Sequence, residues 1–238
     1  MPNWNLQPAA DLDLSLRDRR KSLSREASLL ETFGHHLYWG TIRAYLRLYH
    51  RIVVTGQENL PAKPPFVVIA NHASHLDAMV LAAFMDWRIR DCVFPIAAGD
   101  VFFSTPVVSF FASTFINALP MWRKNCGAHA MAQLRQRLIS EPCVYILFPE
   151  GTRSRDGTMG AFKAGLGMLV AGTEVPVVPC HLKGTFEAMA PGRRFPLPSP
   201  IRMNVGKPVV FKELSSNRDS WQQIAQIAQQ ACIDCGEE

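Results

Sequence analysis

Three short, nearly unbroken apolar runs, at 66–70, 143–148 and 175–180, set the strongest limit on how this chain can fold. A strand with one face in water alternates apolar and polar residues. A strand buried on both faces reads as a continuous apolar run. Between the runs lie segments of helical periodicity at 76–84, 128–139 and 162–171, and a Gln-rich one at 221–232 carries Ile224, Ile227, Ala228 and Ala231 on one side. Strands separated by helices indicate an α/β fold. The expected architecture is therefore a largely parallel twisted sheet covered by helices on both faces. Further strands are expected at 51–55, 91–97, 202–206 and 209–211. Ligands of such sheets bind beyond the carboxyl ends of the strands.

Residues 1–33 are expected to form a charged, weakly ordered extension: Asp11, Asp13, Arg17, Asp18, Arg19, Arg20 and Lys21 fall in it, with no apolar leader core. Residues 34–50 read as an amphipathic helix, because Tyr38, Ile42, Tyr45, Leu46 and Tyr49 repeat at helical spacing. Two placements suit it. It packs on the domain, or it lies at a membrane interface with its aromatic side chains, Trp39 included, in the interface and Arg43 and Arg47 reaching anionic headgroups. The remaining chain, 51–238, reads as one catalytic domain.

The stretch 101–122 has no ionisable side chain, but Pro106 and Pro120 cut it. What lies between them is too short for a hydrocarbon core of about 30 Å. It also holds Ser109, Ser113, Thr114 and Asn117, so a buried or groove-lining helix at 105–118 is expected. The formal charge of +5 favours anionic partners without choosing among them. Six cysteines scattered through apolar segments suit a reducing compartment. Cys232 and Cys235 form a single C-x-x-C with no second pair, which argues against a zinc site.

Chemistry concentrates after the first and second of the long apolar runs. The first is followed by Asn71-His72-Ala73-Ser74-His75-Leu76-Asp77. On one helix, positions five apart stand about 140° from each other, so His72 and Asp77 would not meet. They meet if His72 lies in the strand-to-helix turn and Asp77 in the first helical turn. Ser74 is a good N-cap and Asp77 follows three residues on, which starts the helix between them. A His held by a carboxylate is suited to general-base work, because the carboxylate fixes the tautomer and stabilises the imidazolium. The second run leads into Phe148-Pro149-Glu150-Gly151-Thr152-Arg153-Ser154, and Phe162-Lys163 follows. Arg153 offers a planar fork for phosphate, Gly151 permits close approach of a ligand to the backbone, and Lys163 adds a second cation.

In this order, Asn-His-x-x-x-x-Asp and Phe-Pro-Glu-Gly-Thr-Arg-Ser resemble the 1-acyl-glycerol-3-phosphate (lysophosphatidic acid) acyltransferase family. Val175-Pro176-Val177-Val178-Pro179 resembles that family's last motif, and the likeness spans roughly residues 50–212. One block departs: Met121-Trp122-Arg123 keeps only the family's arginine, and Ala97-Ala98-Gly99-Asp100 stands where a lysine is usual. The resemblance implies an acyltransferase domain that moves a fatty acyl group from acyl-CoA or acyl-carrier protein to a lysophospholipid hydroxyl, with 1-acylglycerol-3-phosphate the first choice of acceptor. It implies His72 and Asp77 as the catalytic pair. Substrate binding falls to Glu150, Gly151, Thr152, Arg153, Arg123 and Lys163. The oxyanion would be met by donors in the turn, backbone N–H groups among them. No metal and no cofactor is implied beyond the thioester co-substrate. Phe102, Phe103, Phe110, Phe111 and Phe115 are candidates for the wall of an acyl groove.

The expected partners are the thioester donor, the lysophospholipid acceptor and a membrane surface, with the enzyme peripheral or monotopic on the cytoplasmic side. The same chemistry on another lysolipid, an amino-lipid or a glycolipid is the alternative. A metal-dependent hydrolase using His72, His75 and Asp77 lacks a further ligand set in the sequence, and nucleic acid is not expected because the basic residues are dispersed.

Overall fold

The computed structural model describes residues 13, 15, 18, 29–98, 105, 109–110, 112–113, 115–121 and 128–237. Arg123, Phe102, Phe103, Phe111 and most of the 1–33 extension lie outside them.

The strand Phe66–Ala70 (β2) explains the continuous apolar runs. Phe66, Val68 and Ala70 enter one core, and Val67 and Ile69 enter another. The strand Val144–Leu147 (β5) divides in the same way, Val144 and Ile146 to the first core and Tyr145 to the second. The first core is closed by helices Leu29–Tyr49 (α1), Leu76–Ala83 (α2) and Thr185–Met189 (α5). The second is closed by Ala128–Ser140 (α3), Gly165–Val170 (α4) and Arg218–Glu237 (α6). Each central strand therefore buries both rows of side chains, as the sequence pattern requires.

The remaining strands are Val53–Thr55 (β1), Val93–Ala98 (β3), Leu119–Met121 (β4), Val177–Lys183 (β6) and Arg202–Val205 (β7). They make one sheet of order β1-β7-β6-β2-β5-β3-β4. All neighbours are parallel except β6 and β7. Ile69 of β2 pairs with Leu147 of β5, so the segments that follow these two strands emerge side by side. β5 and β6 flank β2 from opposite sides, so the chain changes direction across the sheet at that point, where open α/β sheets hold their ligands.

Four details differ from the sequence reading. β4 carries Pro120 and sits at the sheet edge, where a missing N–H is tolerated. The segment 209–211 contributes a single bridge, Val177 to Val209, rather than a strand. Residues 87–92 form a 3-10 turn, so β3 begins at Val93. The largest difference concerns α1. Trp39 and Leu46 are buried, and Tyr38, Ile42 and Tyr45 pack against the first core. Apart from Tyr49, which stays exposed, the aromatic face expected at a membrane docks on the domain, and burial pushes the Tyr38 hydroxyl up to about 12.

Arg43 is likewise withdrawn from any headgroup. Its Nε donates to Ala83 O at 2.8 Å and its Nη2 to Met85 O at 3.1 Å, closing the carboxyl end of α2, and its guanidinium lies 4.7 Å from the Trp87 ring. The solvent-facing stripe is instead Phe33, Leu37, Ala44 and Leu48. These four fall within about 60° of arc. Helical periodicity marks an apolar stripe without saying whether water or protein lies beyond it, and α1 carries two.

Candidate active site

His72 follows β2 by two residues and is held on three sides. Its Nδ1 lies 2.8 Å from Asp77 Oδ2. The same oxygen accepts the backbone N–H of Ala73 at 2.8 Å and of Ser74 at 2.7 Å. Asp77 is fully buried in the first turn of α2. The turn between strand and helix thus brings together two residues that a continuous helix would keep apart. Ser74 Oγ accepts from Leu76 N at 3.2 Å, which starts the helix where the sequence places it. With Nδ1–H donating to the carboxylate, Nε2 is the basic nitrogen. It has no hydrogen-bond partner among the described residues, and the side chain is 21% exposed. The ring stacks on Phe148, with centroids 4.0 Å apart and planes at 15°.

Phe148 belongs to the second motif, which emerges beside the first because β5 pairs with β2. Two further bonds lace the motifs together. Ser154 N donates to His72 O at 2.7 Å, and His72 N donates to Glu150 Oε1 at 2.7 Å. The other Glu150 oxygen accepts from Gly160 N at 2.9 Å. Burial raises the Glu150 carboxyl above the usual range, partly offset by these two backbone bonds. Each oxygen therefore accepts one loop amide, and Glu150 fixes the turn that carries His72.

The amides of His72, Ala73 and Ser74 are all committed to carboxylates, so these three N–H groups do not serve an oxyanion as the sequence suggests. The reason is local: a tight turn between a buried strand and a helix leaves its amides without water, and Asp77 and Glu150 supply the acceptors.

Gly151 has φ 72, in the left-handed region, and a Cβ there would stand 2.8 Å from Lys163 Nζ. The lysine ammonium thus lies over a backbone that only glycine leaves open. Lys163 N donates to Pro149 O at 2.9 Å, which ties the two segments together. Thr152 is exposed and Arg153 half-buried. Arg153 Nη1 is screened from water and has no hydrogen-bond partner among the described residues. His75 is close enough to respond to it: the ring is pushed below the usual histidine range first by burial, then by Arg153 and His72, with Asp77 opposing. The structure therefore gathers His72, Asp77, Glu150, Gly151, Arg153 and Lys163 at the carboxyl ends of β2 and β5. Arg123 lies outside the described residues. Among the described residues no three His, Cys, Asp or Glu side chains converge as a metal-ligand group.

Two contributors had no role in the sequence reading. Phe148 forms the floor under the His72 ring. Asn71 pins the end of β2 to β6, its side chain donating to Leu182 O at 2.9 Å and accepting from Leu182 N at 2.8 Å. The signal for Asn71 was its position, a lone amide at the end of a buried strand.

The family model described as Acyltransferase matches residues 51–183. A chloroplastic 1-acyl-sn-glycerol-3-phosphate acyltransferase of Brassica napus is 30% identical over 181 residues, covering 74% of this chain and 50% of that protein. The 1-acyl-sn-glycerol-3-phosphate acyltransferase alpha of Homo sapiens is 31% identical over 131 residues, covering 54% and 44%. The chain thus spans about half the length of the curated relatives it matches. The crystal structure of the 1-acyl-sn-glycerophosphate (LPA) acyltransferase PlsC from Thermotoga maritima superposes with a TM-score of 0.63 at 23% identity, covering 93% of this chain and 97% of that one. At that identity the likeness concerns the fold.

Proposed function

Because the chain belongs to the Acyltransferase family, we propose that it transfers a fatty acyl group from a thioester to the free hydroxyl of a lysophospholipid, with 1-acylglycerol-3-phosphate as acceptor. One observation carries this reading. An oriented imidazole with an open Nε2 stands at the same rim as a guanidinium nitrogen that no described residue satisfies. The first suits a hydroxyl that must lose a proton, and the second a phosphate that must be held.

The acceptor hydroxyl gives its proton to His72 Nε2 while its oxygen attacks the thioester carbonyl carbon. Asp77 stabilises the imidazolium. The tetrahedral intermediate collapses, the carbon–sulfur bond breaks, and the thiol of coenzyme A or an acyl-carrier protein departs with the proton from His72. Arg153 and Lys163 hold the acceptor phosphate, and Arg123 is assigned to the same task. Glu150 and Gly151 shape the loop, and Thr152 lies at its exposed rim.

Such an acceptor resides in a bilayer. The proposal therefore includes a surface-bound enzyme on the cytoplasmic side of a membrane. Among the described residues no helix is long and apolar enough to cross a membrane. The free thiols of Cys92, Cys143, Cys180, Cys232 and Cys235 suit a reducing compartment.

A thioester-consumption assay against a panel of lysolipids tests the reading. Phosphate-headed acceptors should turn over fastest, and equal rates with neutral headgroups would reject the acceptor assignment. Two variants separate binding from positioning. Arg153→Ala loses charge-assisted bonds worth roughly 1.5–3 kcal/mol, so the acceptor KM should rise about 10- to 150-fold with the thioester KM unchanged. A rise confined to the thioester KM would exchange the two pockets. Glu150→Gln cannot accept both loop amides, and its own N–H₂ group faces one of them. It should lower kcat by roughly tenfold and leave the acceptor KM in place, the cost of one unsatisfied buried donor. If the acceptor KM moves instead, Glu150 touches substrate.

A further inference from the structure

The segment 190–200 is one of the most solvent-exposed parts of the described fold, although it carries large apolar side chains. Phe195 is 79% exposed and Leu197 48%. Beside it stands the carboxyl end of α1, where Leu48 is 83% exposed and Tyr49 39%. The two are fixed to each other. Tyr49 donates its hydroxyl proton to Pro196 O at 3.2 Å, His50 Nδ1 lies 3.1 Å from Ser199 O, and Ile201 N donates to His50 O at 3.1 Å. His50 is itself fully buried and meets Tyr45 through its other nitrogen at 2.9 Å. A wagging loop would hide its phenylalanine; this one is laced in place with the ring outward.

Within these two segments the charged side chains are all basic, and the exposed Glu187 adjoins the second. Arg51, Arg193 and Arg194 are exposed among them, and none is in an ion pair with a described residue. Across 43–54 and 188–201 the sequence holds no Asp or Glu. Exposed aromatic and aliphatic side chains beside exposed arginines suit the boundary of an anionic bilayer, where the rings enter the acyl region and the guanidinium groups stay with the phosphates. A second copy of this chain would bring arginine against arginine.

We infer that loop 190–200 and the carboxyl end of α1 form a docking surface for an anionic lipid bilayer, and that this surface sets the catalytic turn against the leaflet. The connection to the turn is direct. Ser74, within the turn that holds His72, donates its hydroxyl proton to Met189 O at 2.8 Å. Leu197 N donates to Ala188 O at 2.8 Å, so α5 joins the docking loop to the catalytic turn. The inference rests on the proposed function in one respect only, the bilayer origin of the acceptor.

The test uses the full chain with phosphatidylcholine vesicles, with and without phosphatidylglycerol. Binding should need the anionic lipid and weaken with salt. Each arginine near the surface contributes a roughly fivefold partition, so Arg193→Gln/Arg194→Gln should weaken binding roughly 25-fold. Phe195→Ser/Leu197→Ser should weaken it at least as much. Both pairs are exposed, so thermal unfolding should not move. Turnover of a short-chain monomeric acceptor should be retained while turnover of vesicle-borne acceptor falls. Variants that bind vesicles like the parent would overturn the surface. So would a parent that ignores vesicles and captures an acidic acyl-carrier protein through these arginines. A parent that binds vesicles as described but acylates no lysolipid would leave the surface standing and remove the proposed function.

Discussion

His72→Ala is expected to lower acyl transfer by ~10²–10⁴-fold, the usual contribution of a positioned general base, in a protein that still folds. The fold should survive because the turn is held mainly through its backbone. His72 N still donates to Glu150, Ser154 N still donates to His72 O, and Asp77 still accepts from Ala73 and Ser74. What disappears is the ring: its bond to Asp77 and its stack on Phe148. The stack lies at the surface end of a strand and the ring is already 21% exposed, so water can replace it at small cost. Rate and stability therefore separate. Thioester consumption and thermal unfolding, measured on the same preparation, read both. Added imidazole should restore part of the rate, since the place of the ring is partly open to water. Near-parental turnover by the alanine variant would remove His72 from the chemistry.

The legible part of this site was its chain-local part. The pairing of His72 with Asp77 follows from a strand end, an N-cap serine and a carboxylate three residues on, all within seven positions. The same holds for β2 and β5, whose continuous apolar runs state that both faces are covered. What the sequence conceals lies between distant segments. Glu150 serves the amide of His72 from 78 residues away, and nothing near Glu150 announces that its carboxylate is already used. The antiparallel course of β7 is set by its pairing with β6, since four residues read alike in either direction. The orientation of α1 was obscured because aromatic side chains suit a bilayer interface and a protein core about equally. Arg43 shows which applies here: it closes the end of α2 rather than facing a headgroup. The exposed stripe of α1 runs instead through Phe33 and Leu37 to Leu48, beside the docking loop.

Asp77 should be the position where rate and stability fall together. Its Oδ2 takes three donors, Nδ1–H of His72 and the N–H groups of Ala73 and Ser74, and its Oδ1 is buried with no partner among the described residues. Asp77→Asn offers a single amide oxygen in two orientations. With oxygen in the Oδ2 position the turn is kept, but the side-chain N–H₂ enters a buried space without an acceptor and the imidazolium loses its counter-charge. With N–H₂ in that position it faces two backbone N–H groups, and His72 Nδ1 must become an acceptor. The proton then sits on Nε2, the nitrogen that has to be free. The first orientation weakens the base and the second removes it, and the corresponding change in a Ser-His-Asp triad costs about 10⁴-fold. Asp77→Ala removes the acceptor altogether and leaves two buried N–H groups unmet, roughly 1–3 kcal/mol each. Thermal unfolding should therefore fall in the order parent, Asp77→Asn, Asp77→Ala, while His72→Ala stays near the parent. If Asp77→Ala melts with the parent, the turn does not depend on the carboxylate. If Asp77→Asn turns over like the parent, His72 does not need its charge, and a mechanism that passes through an imidazolium at this site fails with it.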